Sequence, residues 1–341
     1  IIPGISNFYA TSIADGFDFA NVLIKTREGR PIKIEKNTKA KVKSSANARV
    51  QASVLSMYDS LRLKNPSLDG EEISWDQLNN NISSELEKMK ASDNEVVLLT
   101  QTFASPSTSV IIEDFKKKYS NVKHIVYDAI SDSKALDAFE ALYGERALPT
   151  YDFSKADVIV SVGADFLGDW QGGGHDSGYV KGRVPIKGKN GKAKMSKHFQ
   201  FESNMTISGA NADKRISITP TQQKIILAKI YGYISGNEVL GKLPDNIEIS
   251  VKKIASSLIK AGNKGLIITG VDDINAHLLA YEINDLLKSL SFIKDELSLI
   301  RKGNDNDVLE LVKDLNSGKV KGIIMCGVNP AYTLSNSKEF I

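Results

Sequence analysis

The chain has 341 residues, 41% hydrophobic and 25% charged, with a formal net charge of +3, the balance of an ordinary globular protein. A charge this small gives no whole-chain argument for nucleic acid, and no apolar run approaches the ~20 residues that span a bilayer. A single cysteine, Cys326, excludes an internal disulfide and any zinc or iron–sulfur centre held by several thiolates of this chain.

The elements follow in chain order. Residues 21–26 alternate around Val22 and Ile24, and 31–35 follow the turn Glu28-Gly29-Arg30, which predicts a β-hairpin with Gly29 at positive φ. Residues 47–63 are expected to be partly helical, and Pro66 and Gly70 punctuate the chain. Ser74 and Gln77 form a capping-box pair, and Trp75, Leu78, Ile82, Leu86 and Met89 follow at helical spacing as one apolar stripe. Then come a strand at 95–100, a helix at 109–119, a strand at 123–127, a helix at 134–143 and a strand at 157–162 closed by Gly163. Residues 164–203 read as a long glycine- and lysine-rich interruption. Beyond it, a strand at 215–218 leads to a helix that Pro220 opens. Helices at 247–260, 274–290 and 308–315 and strands at 264–269 and 320–326 complete the series. The alternation predicts an α/β protein of right-handed βαβ units, with parallel-sheet, Rossmann-like domains and a small β-hairpin domain in front. The expected division is 1–70, 71–150, 151–262 with the basic insertion at about 164–203, and 263–341 as a return to the first α/β domain. The chain opens on Ile1 and stops at Ile341 without a closing element, so a longer parent chain is expected.

Few constellations carry chemistry. The glycines at Gly172-Gly173-Gly174 lie about nine residues beyond the nearest strand, without the strand-turn-helix context of a dinucleotide fingerprint. Gly191-Lys192-Ala193 lacks the serine or threonine of a phosphate loop. His175, Asp176 and Ser177 are adjacent, whereas a hydrolytic triad converges from separate elements, so they read as a polar loop tip. His124 and His277 read as structural. The sharpest charge feature is Lys181, Arg183, Lys187, Lys189, Lys192, Lys194 and Lys197, with no acid between Ser177 and Phe201. It is either a solvated loop or a docking surface for an acidic partner; no aromatic residues interleave the lysines as a nucleic-acid platform requires. Ser105 lies just past the strand at 95–100, at the carboxyl mouth of a parallel sheet where ligands bind.

Read together, several segments resemble the molybdopterin oxidoreductase family: the hairpin from Lys25 to Glu35, the line from Tyr151 to Asp165, and the turn Gly327-Val328-Asn329-Pro330. Tyr9-Ala10-Thr11, Arg49 to Leu55, Asp165 to Trp170 and Asn329-Pro330-Ala331-Tyr332 are similar to one branch, the large extracytoplasmic iron–sulfur subunit of alternative complex III, a bacterial quinol:acceptor oxidoreductase.

The resemblance implies a structural domain that holds no cofactor itself. Its hairpin region, residues 8–38, has no cysteine where active relatives place four. Iron–sulfur clusters are expected in a C-terminal module beyond Ile341, and haem in partner subunits. The implied partners are a multihaem cytochrome and quinol-oxidising integral membrane subunits, on the periplasmic face of the inner membrane. Gly163, Asp165, Gly327 and Asn329 match pterin-side positions of active relatives and are expected to be vestigial turn residues. Two other readings stand beside this one. An enzyme retaining the pterin would use Ser105 as a metal ligand, and a small-ligand binder would have an unrelated doubly wound fold.

Overall fold

The computed structural model describes residues 2–15, 18–41, 46–187 and 193–341. The chain forms two compact units, Ile1–Ser131 with Lys302–Ile341, and Asp132–Arg301.

The first unit opens with a three-stranded antiparallel sheet of Asn7–Asp15, Asp18–Arg27 and Arg30–Lys36. Glu28 and Gly29 both have positive φ, 50° and 81°, the backbone of a two-residue hairpin turn whose twist matches its strands. Ala20, Val22 and Ile34 pack on Val50 of the short helix Ala48–Ala52. The same unit holds a parallel sheet in which Glu95–Thr100 lies between Val320–Cys326 and Val122–Val126. Its alternate residues serve two cores, because both faces are covered. Val96 and Leu98 pack with Leu86 of helix Trp75–Ala91 and Phe115 of helix Pro106–Lys118. Val97 and Leu99 pack with Val308 and Leu311 of helix Asp305–Asn316. The capping box of Ser74 and Gln77 is formed as expected. The apolar stripe behind it is not a core stripe along its whole length: Leu86 is buried, but Trp75 and Ile82 are exposed, since only the last turns of the helix cover the sheet.

The second unit is built on a four-stranded parallel sheet in the order Lys214–Ser217, Lys197–Glu202, Val158–Val162, Gly265–Thr269. Val158, Val160 and Val162 face helices Pro220–Ser235 and Asp245–Ala261 through Ile226, Val251 and Ile254. Ile159, Leu266 and Ile268 face an aromatic layer of Phe139, Phe153, Phe166 and Tyr281. A small antiparallel ladder pairs Leu148–Tyr151 with Phe292–Ser298. The described part of 164–203 is therefore not one loop. It contains helix Asp176–Arg183 and the strand Lys197–Glu202, which lies inside the sheet. His198, Gln200 and Glu202 disguise that strand, because its buried face is polar.

Candidate functional sites at the carboxyl ends of the strands

Parallel strands point their carboxyl ends to one edge of a sheet, and ligands of such folds bind there. In the second unit that edge carries Gly163, Asp165 and Glu202. Gly163 has φ +74°, and a side chain at its position would meet the Gln223 amide at 3.0 Å. The Asp165 carboxylate accepts from the Ser208 backbone N–H at 2.9 Å and the Ser208 hydroxyl at 2.7 Å. Ser208 Oγ in turn accepts from Leu167 N–H at 2.9 Å, so Asp165 fixes the loop that follows its own strand.

Glu202 ends a buried hydrogen-bonded row along one face of its strand. The Tyr179 hydroxyl lies 3.2 Å from His198 Nδ1 and 3.1 Å from the Asn211 carbonyl. His198 Nε2 contacts Gln200 Oε1 at 3.0 Å, and Gln200 Nε2 donates to the Ala164 carbonyl at 3.1 Å and to Glu202 at 3.2 Å. Glu202 also accepts from Arg215 Nε at 2.6 Å and from the Thr206 hydroxyl at 2.7 Å. Burial by itself would raise the Glu202 carboxyl, but the hydrogen bonds from Thr206 and Arg215 outweigh it and hold the group below its ordinary range. Burial also lowers His198 to about 4, so the ring is neutral at pH 7. Gly209 packs so closely on Glu202 that any side chain there would overlap the carboxylate. In the sequence the row shows only as His198, Gln200 and Glu202 alternating with Phe199 and Phe201.

In the first unit the corresponding edge carries Gly327, Gln101 and Asp128. Gly327 has φ +68°, and its backbone lies against the Gln101 amide. Asp128 accepts from Thr102 N–H at 2.8 Å, Thr102 Oγ1 at 2.5 Å and Gly303 N–H at 3.1 Å. Asn329 precedes Pro330 at the start of the short helix Pro330–Thr333 and is exposed. Cys326, the last residue of its strand, is exposed. Ser105 is the N-cap of helix Pro106–Lys118, its hydroxyl oxygen accepting from Thr108 N–H at 3.2 Å. His124 pairs with the Thr100 hydroxyl at 2.9 Å, and burial, then Lys116, lower its pKa. Gly163 and Asp165 thus stand at the carboxyl edge of one unit, and Ser105, Gly327 and Asn329 at that of the other.

Two readings need correction. His175 is no polar loop tip: its ring packs among Phe153, Trp170 and Tyr151 at centroid distances of 5.2, 5.4 and 6.2 Å, and burial lowers its pKa to about 4. The basic stretch is also not a continuous loop surface. Lys181 and Arg183 belong to a helix, Lys197 opens a strand, and Lys187 ends the two-residue strand Ile186–Lys187. Arg183 pairs with Asp213 at 2.7 Å and Lys194 with Asp157 at 2.6 Å, so acids distant in sequence neutralise two of these cations. Lys189 and Lys192 lie outside the described residues.

The fold class invites a test for a metal–pterin centre. The residues fit one poorly. Asp165, Glu202 and Asp128 already accept hydrogen bonds from the protein itself. Ser105, the candidate metal ligand, uses its oxygen as a helix cap. Among the described residues no group of three or more His, Cys, Asp or Glu converges as a metal site. Nor, among them, is any helix long and apolar enough to cross a membrane.

No protein-family model and no curated protein matches the chain. Among solved structures, acetylene hydratase from Pelobacter acetylenicus superposes with a TM-score of 0.52 at 12% identity, over 83% of this chain and 43% of that one. The formyltransferase/hydrolase complex from Methylorubrum extorquens gives a TM-score of 0.42 at 14% identity, covering 79% and 61%. This chain therefore spans less than half the length of the acetylene hydratase chain. What the first likeness shows is the fold: the mixed α/β architecture, with its parallel sheets and small antiparallel hairpin sheet, is of the molybdopterin type.

Proposed function

We propose that this chain is a structural, cofactor-free module of a membrane-associated respiratory electron-transfer complex, in which it positions neighbouring subunits that carry iron–sulfur clusters and haem. One observation carries the reading. The carboxylates at the ligand-binding edges of both units, Asp165, Glu202 and Asp128, are engaged by the chain's own donors. A carboxylate that is to bind a ligand must offer it an oxygen, whereas these oxygens accept from donors of the chain and tie its own segments together. The single cysteine supports the same reading, since a cluster needs about four protein ligands. In such a complex the redox chemistry belongs to the cofactors and the protein supplies orientation. The resemblance to the large iron–sulfur subunit of alternative complex III supplies the expected neighbours: a multihaem cytochrome and quinol-oxidising membrane subunits on the periplasmic face.

The test is elemental and pterin analysis of the purified native assembly, with each signal assigned to its polypeptide. The expected result is iron on other polypeptide segments, and neither molybdenum, tungsten nor pterin on this one. Molybdenum or tungsten with pterin at about one per chain overturns the proposal and makes Ser105 the first residue to substitute.

A further inference from the structure

The end of the second unit's sheet that faces away from its carboxyl edge has a distinct character. All four strands run parallel, so their amino ends form one edge. Lys197 opens one strand, in register with Val158 and hence with Gly265. Lys264 directly precedes Gly265, and Lys214 opens the outer strand. Lys155 lies three residues before Val158. Neighbouring strands are about 4.8 Å apart, so these lysines gather as a staggered row at the amino end of the sheet, with Lys214 opposite Phe199, two residues further in than Lys197. All four are exposed.

Local contacts hold the end of the helix Asp176–Arg183 beside this end of the sheet. Ser196 N–H donates to the Gly182 carbonyl at 2.9 Å, and Lys197 N–H to the Asp157 carbonyl at 2.9 Å. The carboxylates of this edge are already engaged. Asp157 lies 2.6 Å from Lys194 and 3.8 Å from Lys264, Asp213 is paired with Arg183, and Asp152 lies 3.5 Å from Lys155. Seven cations, the four lysines of the row with Lys181, Arg183 and Lys194, stand against these three acids and Asp176 at the start of the helix, leaving an excess of positive charge.

Beside the row, Val180, Val184, Ile186 and Met195 are exposed, the first three by more than half. Apolar side chains within a charged rim are the anatomy of a protein interface. Single-stranded nucleic acid is held differently, by exposed aromatic rings on which bases stack. Here the nearby rings, Tyr179 and His198, are buried.

We propose that the amino-terminal edge of the sheet in Asp132–Arg301 docks an acidic protein surface with an apolar centre. This rests on reading the chain as a positioning module, and it names the chemistry of one partner and the face that meets it. The row lies opposite the edge where ligands of parallel sheets bind, so the docked partner leaves that edge free.

The test uses the full chain and a fluorescein-labelled peptide of about 16 residues that alternates paired glutamates with leucine and phenylalanine, followed by anisotropy at about 50 mM salt, where screening is modest. Polyglutamate of equal charge, oligothymidylate and phosphatidylglycerol vesicles are the competing probes. Reversing the row (Lys155→Glu, Lys197→Glu, Lys214→Glu, Lys264→Glu) is expected to weaken peptide binding by about tenfold or more. The same change at Lys33, Lys88, Lys117 and Lys319 of the other unit, all exposed, should alter it by less than about twofold. Val184→Ser with Ile186→Ser, which leaves every charge in place, should weaken the peptide by about threefold and leave polyglutamate unchanged. That variant decides the question if the reversed row does not fold, as read by circular dichroism. No peptide binding overturns the proposal, as does equal loss from the control reversal or tighter binding of oligothymidylate or vesicles. Cofactor content enters none of these readings, so this proposal and the cofactor-free reading fail separately.

Discussion

Three histidines of the second unit are held neutral by their surroundings. His175, His198 and His277 each have a pKa lowered to about 4, in every case chiefly by burial. In the unfolded chain a histidine titrates near 6.5. Between these values the unfolded chain binds protons that the folded chain does not, so stability rises with pH through the window and falls on acidification from about 6.5 to 4. For the buried rings of His198 and His277 the loss approaches about 3 kcal/mol each as an upper bound. Urea unfolding at pH 7, 6 and 5 should show the midpoint dropping stepwise, with a shallower drop in His198→Gln. A midpoint flat from pH 7 to 5 would sink this account. Asp213 and Glu202 act in a lower range. Burial tends to raise both, but hydrogen bonds, chiefly from Arg183 to the first and from Thr206 and Arg215 to the second, leave both depressed. Their contribution, present above the unfolded carboxylate pKa of about 4, is lost only as pH falls below it.

At the level of elements, an outer strand of a parallel sheet carries backbone groups that need partners. The strand Gly265–Thr269 borders the sheet of the second unit, and side chains close its outer side. Asn284 Oδ1 accepts from Ile267 N–H at 3.0 Å while Asn284 Nδ2 donates to the Ile267 carbonyl at 2.7 Å. Ser289 Oγ donates to the Gly265 carbonyl at 2.5 Å and Trp170 Nε1 to the Thr269 carbonyl at 3.1 Å. One asparagine on helix Ile274–Leu287 thus occupies the place of a fifth strand. An exposed row of unpaired backbone groups is a template for aggregation, and this arrangement removes it. Asn284→Leu keeps the branching and the number of heavy atoms but leaves two buried backbone groups without partners, each worth about 1–3 kcal/mol. We expect a loss of about 3 kcal/mol by urea unfolding, with oligomers on gel filtration. An unchanged midpoint would show that the asparagine is dispensable to the edge.

At the scale of the whole molecule, the second unit is one continuous stretch of chain, whereas the first is assembled from two. Every residue of the two larger cores of the second unit lies within Asp132–Arg301. Its ends meet locally, Arg301 Nε lying 3.4 Å from the Asp132 carboxylate. A segment with its own core and adjoining ends satisfies the physical requirements of an independent domain. The isolated fragment Asp132–Arg301 should therefore unfold cooperatively, with native helix content by circular dichroism. A broad, non-cooperative melt would mean that its core needs the rest of the chain.

Local signals determined much of this architecture. The Glu28-Gly29 turn, the Ser74–Gln77 capping box and the apolar runs at 95–100, 158–162 and 265–269 appear in the structure because each rests on contacts between residues near in sequence or on an unbroken apolar strand. The single cysteine likewise bounds the chemistry without any coordinates. The tertiary structure alone decided the rest. Lys197–Glu202 looks like a basic, polar loop until Tyr179, Ala164, Thr206 and Arg215 supply partners for its polar side chains, after which it is an interior strand. Asp213 and Asp157 neutralise Arg183 and Lys194 across 30 and 37 residues of chain. Lys214 and Lys264 come to the same end of the sheet as Lys197 only because the strands run parallel. A buried polar group or a charge row is defined by its neighbours in space, and strand pairing brings those neighbours from distant parts of the sequence.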